Sequence, residues 1–165
     1  MTTRLLMAGF VLMLAACQHS EDHTQQLQMQ IDSLQHAVAG SYKPGFGEFM
    51  SSIQVHHEKL WFAGQNANWK LADFEINEIK EALEDLQTYC TDRPERKSIP
   101  MIYPPLDSLS SAIQKKDPVA FRNSFIALTN NCNICHQATN HAFNVIRIPD
   151  SPPFSNQVFK PVEQK

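Results

Sequence analysis

The sequence predicts an all-α protein: a four-helix bundle preceded by one further helix and followed by an irregular tail. Three observations predict it. Apolar residues recur at spacings of three and four through most of the chain, the period of one helix face. Prolines cluster between those stretches, where a helix would have to end in any case. Few segments alternate residue by residue as a half-buried strand would. At 165 residues, 42% of them hydrophobic and 19% charged, the chain can build one ordinary domain around a core, and a second domain is not expected.

The N-terminal elements are read from composition first. Arg4 precedes an apolar run from Leu5 to Ala16 that is too short to span a bilayer as a helix, so residues 1–16 are expected to be an export signal. The run closes in Leu14-Ala15-Ala16-Cys17, which resembles the lipobox of bacterial lipoprotein signals. That resemblance implies cleavage before Cys17, lipidation of its thiol and, because Gln18 follows rather than an aspartate, sorting to the outer membrane on its periplasmic face. Acyl chains at ~0.8 kcal/mol per buried methylene would hold the mature chain to a membrane without a transmembrane helix. The alternative is an ordinary secretory signal cleaved after Ala16, with Cys17 a free thiol. Residues 17–44 are then a lipidated tether, polar and without period over about 18–26, and a short amphipathic helix. Leu27, Ile31, Leu34 and Val38 form its apolar stripe up to Gly40, which could pack on the bundle or on a second copy in a homodimer, although two heptads fall short of a coiled-coil signal.

Residues 45–144 are the expected bundle. Phe49, Ile53, His56 or His57, Leu60 and Trp61 follow a helical period over about 46–63, ending at Gly64. Trp69, Ala72, Ile76, Ile79, Leu83 and Leu86 repeat three, four, three, four, three, an amphipathic helix with its glutamates facing outward. Pro94, Pro100, Pro104 and Pro105 interrupt any helix and make 91–103 a connection. Leu106, Leu109 and Ile113 restart the period until about Lys116. Asp117-Pro118, an N-cap residue followed by proline at the first helical position, opens the last helix, with Phe121, Phe125, Leu128 and Cys132 along one face. Residues 145–165, with Pro149, Pro152, Pro153 and Pro161, form the irregular tail.

A net charge of -3 with scattered signs gives no basic stripe for a phosphate backbone, so nucleic acid is not an expected partner. Five glycines and no Gly-rich phosphate loop set nucleotides aside. Positive chemistry is concentrated in Cys132-Asn133-Ile134-Cys135-His136. Two thiols three residues apart can form thioethers with the two vinyl groups of one haem, and the adjacent imidazole can bind its iron; this is the attachment sequence of a single covalent haem c. The competing readings are a disulfide or redox dithiol, a zinc-binding lipoprotein, and a chance pattern. A redox dithiol wants a strand before it and a helix N-terminus at its cysteines, whereas here a helix precedes them. Zinc needs further ligands, and only the separated Cys90 and scattered histidines could supply them. Cys90 itself reads as a buried, inert thiol.

Phe121-x-x-x-Phe125, followed by the C-x-x-C-H element on the last helix of a bundle, resembles the C-terminal helix of the cytochrome c′ family; the likeness covers chiefly residues 117–136. It implies a haem with an apolar distal face that binds nitric oxide or carbon monoxide, or passes electrons to periplasmic or membrane redox partners. Two features depart from that family: 29 residues follow His136, and His56-His57 stand where an apolar distal residue is expected. His57 shares a stripe with Ile53, Leu60 and Gly64 and is the better inward candidate for a second iron ligand; Met50, on the same stripe, is another. His141 lies too close to His136 along the chain to reach the opposite haem face. His56, His57, Glu58, Glu75, Glu78 and Glu81 lack the paired Glu-x-x-His pattern of a carboxylate di-metal site and read as a solvated charged face. No nucleophile with a neighbouring base marks a catalytic centre. The rivals of other classes are a non-catalytic haem-based gas sensor or scavenger, and a structural or interaction subunit of an envelope redox complex that uses the first helix and the Ser151-Pro152-Pro153-Phe154 tail.

Overall fold

All regular structure among the described residues is helical. The computed structural model describes residues 23–38, 40 and 44–162, and the chain divides into two units, Met1–Lys43 and Pro44–Lys165. The signal, Cys17 and the start of the tether lie outside the described residues. None of the described helices is long and apolar enough to cross a membrane.

In the first unit, residues 23–38 form α1, with its described side chains exposed. The helix therefore already includes residues 23–26, which the sequence assigns to the tether. Glutamine is a good helix former even where no apolar period marks the segment, and the Gln28 amide donates to Asp32 one turn on at 2.9 Å.

The second unit contains α2 (Phe46–Gln65), α3 (Trp69–Tyr89), a 3₁₀ segment (Pro94–Ile102), α4 (Tyr103–Gln114) and α5 (Pro118–Ala138). The pairs α2–α3 and α4–α5 pack as hairpins, and α2 also meets α5 while α3 meets α4. Between them lies an apolar core that includes Leu60, Ile76, Leu83, Leu106, Phe121 and Phe125. The Asp117 carboxylate accepts the Val119 and Ala120 amides at 2.9 and 3.0 Å, capping α5 where the sequence predicts. Helices α2, α4 and α5 each end on a residue in the left-handed region, Ala67, Lys116 and Asn140, and each end closes with the amide one residue further on bonded five residues back.

Four local expectations are corrected. Gly64 does not end α2; it lies inside the helix, where a Cβ would run into the Phe121 ring, so glycine there permits close approach to α5. The connection over 91–103 is largely 3₁₀ helix, which tolerates Pro100, and it is held to α3 by the Arg96 guanidinium donating to Gln87 at 2.7 Å. Helix α4 begins at Tyr103, ahead of Leu106, because Pro104 and Pro105 fall in the first turn, where amides have no helical acceptor. The glutamates of α3 are not all outward: Glu75 is 1% exposed, and its Oε2 lies 2.7 Å from His56 Nδ1 on α2. The tail has no helix, yet it is packed, with Phe159 against Phe62 and its carbonyl accepting the Asn68 amide.

Candidate functional site

Helix α5 carries Cys132, Cys135 and His136 in its last two turns. All three line one cavity of about 360 Å³, closed by Met50, Ile53 and His57 of α2, Leu83 of α3, Ile99 and Ile102 of the 3₁₀ segment, and Asn144 and Ile146 of the segment after α5. Arg93 and Glu95, paired at 2.8 Å, give the same cavity a charged side. The C-x-x-C-H residues therefore face a mostly apolar recess.

The two thiols are unpaired. Burial, with a further contribution from Cys135, pushes the Cys132 thiol up to about 12, and burial raises Cys135 as well. Both are neutral thiols at pH 7. They also sit at the C-terminal end of a helix, where the macrodipole opposes a thiolate, so the environment is the reverse of the one that activates a redox dithiol.

His136 Nδ1 lies 2.6 Å from the Asn144 carbonyl oxygen. A carbonyl only accepts, so Nδ1 carries a proton, and in the neutral ring the lone pair is then on Nε2. Histidines that bind metal are held in this way, by a backbone carbonyl or carboxylate on the other ring nitrogen. Asn144 is delivered by a turn in which Asn140 takes a φ of 62° and the His141 amide bonds back to the His136 carbonyl at 2.7 Å. His141 donates its own Nδ1 proton to the Thr139 carbonyl at 2.7 Å and lines the cavity's edge. Among the described residues no group of three or more His, Cys, Asp or Glu converges as a metal-ligand set. Haem iron requires only one such side chain from this helix, and the neutral thiols, the apolar recess and the fixed imidazole tautomer fit that group.

His57 is 3% exposed and faces the same cavity. Its Nε2 lies 2.8 Å from Thr129 Oγ1, whose own proton is donated to the Phe125 carbonyl at 2.9 Å. The hydroxyl therefore accepts from His57, which is neutral and protonated on Nε2. Its ring also packs on Phe125 with centroids 4.4 Å apart. His56 points elsewhere, to Glu75. Cys90 is buried, its thiol raised by burial, and Sγ donates to the Pro44 carbonyl at 3.7 Å.

Burial lowers the His57 pKa from 6.5 to about 4, which fixes a pH dependence. The unfolded chain binds this proton first, so the contribution to stability is intact above pH 6.5, declines as pH falls, and is lost by about pH 4. The shift corresponds to about 3 kcal/mol. Urea unfolding of the wild type and His57→Gln over that range is expected to show this acid-side loss flattened in the variant; parallel curves would refute it.

No family model matches the chain, and neither a curated protein nor a solved structure does.

Proposed function

We propose that the chain is a membrane-tethered monohaem c-type cytochrome that passes electrons, with haem thioether-linked at Cys132 and Cys135 and His136 as the iron ligand. The observation that carries it is the His136 ring, fixed with Nδ1 on the Asn144 carbonyl and Nε2 free, beside two neutral thiols on one apolar cavity. When bound, the group supplies a one-electron iron couple. The chain would supply the rest: the apolar recess would limit water around the group, the Asn144 carbonyl would raise the donor strength of the imidazole, and Met50, Ile53 and His57 of α2 would help to enclose it. The pairing of α2 with α3 and of α4 with α5 is consistent with a four-helix bundle similar to cytochrome c′. Anchoring through lipidated Cys17 on the periplasmic face of the outer membrane, and exchange with periplasmic or membrane redox partners, complete the proposal.

Of the α2 side chains that line the cavity, Met50 rather than His57 would be the one to hold iron together with His136. Helices α2 and α5 run antiparallel: Gly64 meets Phe121, and His57 meets Thr129. Seven residues on from Thr129 is His136, and seven residues back from His57 is Met50. By residue count in this register Met50 comes nearer to the level of His136 than His57, which lies seven residues, about 10 Å of straight helix, further on.

The test is the ultraviolet-visible spectrum of the chain matured with haem attachment machinery, ferric and dithionite-reduced, with and without carbon monoxide. The expected result is a covalent haem c, lost in Cys132→Ser/Cys135→Ser, with a low-spin spectrum insensitive to carbon monoxide. Absence of haem defeats the proposal. A high-spin spectrum that shifts at once with carbon monoxide would replace electron transfer with gas binding.

A further inference from the structure

One of the two residues between the cysteines has a task of its own. Asn133 lies within the C-x-x-C-H element, yet its side chain does not line the cavity. It makes two hydrogen bonds to one backbone unit across the turn: Asn133 Nδ2 donates to the Ile146 carbonyl at 2.8 Å, and the Ile146 amide donates to Asn133 Oδ1 at 2.8 Å. An amide side chain that both donates to and accepts from one residue fixes that residue in distance and in rotation.

Ile146 is two residues beyond Asn144, whose carbonyl holds His136 Nδ1 at 2.6 Å. The turn between α5 and Ile146 is tied at its near end by the His141 amide on the His136 carbonyl, and within itself by the Asn144 amide on His141 at 2.8 Å. Asn133 ties the far end. Val145 and Phe143 in this stretch are exposed, and the apolar residue packed against the core, Ile148, lies beyond the clamp.

We infer that Asn133 is a positioning residue for His136: its two-point clamp on Ile146 holds the Asn144 carbonyl against Nδ1 and so fixes the imidazole tautomer that leaves Nε2 as the lone-pair nitrogen. The consequence for iron rests on the haem reading above; the consequence for the imidazole does not. The clamp also gives part of the segment after His136 a task, in which residues 140–146 act as a bracket for the His136 ring. Because the acceptor is a backbone carbonyl, the side chain of Asn144 has no part in it.

Two arms test the inference on the full chain. In the unloaded chain, nitrogen NMR of His136 is expected to show the proton on Nδ1, and Asn133→Ala to give a mixture of tautomers with Ile146 amide exchange accelerated about tenfold or more, as losing such hydrogen bonds implies. Asn133→Asp, which keeps the acceptor and loses the donor, is expected to fall between; Asn144→Ala is expected to match the wild type. In the haem-loaded chain, Asn133→Ala is expected to raise the midpoint potential, since a weaker donor imidazole stabilises ferric iron less, and to lower the iron–histidine stretching frequency. An Nε2-protonated His136 in the wild type, or an unchanged tautomer and Ile146 exchange in Asn133→Ala, would overturn the inference. Failure to load haem would defeat the cytochrome reading alone, and the unloaded arm would still decide the clamp.

Discussion

Phe125→Ala is expected to destabilise the chain by about 3–5 kcal/mol, the range for deleting a fully buried aromatic ring. Phe125 is 0% exposed, and its ring is surrounded by other rings: His57 at 4.4 Å, Trp61 at 4.8 Å and Phe121 at 6.0 Å between centroids. Rigid flat neighbours from two helices collapse poorly into the space left by a lost ring, so most of the cavity would persist. The loss would be read as a lower urea midpoint with an unchanged slope. Ile126→Ala, on the same helix but 38% exposed, is the control and is expected to change stability far less. Equal effects from the two substitutions would mean that the aromatic cluster does not organise the α2–α5 contact.

How much of this was legible in the sequence follows from how local each feature is. The stripe Ala72, Ile76, Ile79, Leu83, Leu86 gave α3 its buried face because the signal lies within one helix. Asp117-Pro118 marked the start of α5, and C-x-x-C-H marked three residues that face one cavity, for the same reason. Glu75 was misread because a carboxylate between apolar positions has the pattern of a solvated face; its burial depends on His56, which another helix brings to 2.7 Å. Its second oxygen, Oε1, is buried without a hydrogen-bond partner, so His56 alone answers for that carboxylate. Pro104 and Pro105 have the sequence pattern of breaks, although in a first turn they break nothing. The segment after α5 offered only prolines and polar residues, and its part in orienting His136 runs through a backbone carbonyl, which leaves no side-chain signature.

If the chain carries haem as proposed, Met50→Ala is expected to admit carbon monoxide to the iron, whereas His57→Ala is expected not to. The stripe on α2 carries both residues, and composition alone favours histidine, the commoner metal ligand. Two features of the fold favour the thioether. The antiparallel register, in which Gly64 meets Phe121 and His57 meets Thr129, by residue count brings Met50 rather than His57 towards the level of His136. His57 Nε2 also carries a proton donated to Thr129, so this nitrogen could reach iron only by giving up a buried hydrogen bond, and Nδ1 alone would have a lone pair to offer. The proposal then assigns different roles to the two side chains. Loss of Met50 is expected to convert a low-spin spectrum to a high-spin one, admit carbon monoxide at once and lower the potential, because a methionine ligand raises it. Loss of His57 is expected to cost stability, removing the Thr129 hydrogen bond and ring packing on Phe125, with the spectrum and the response to carbon monoxide retained. If His57→Ala opened the iron and Met50→Ala did not, α2 would have to slide by about two turns along α5, and the register fixed at Gly64 would not describe the loaded protein.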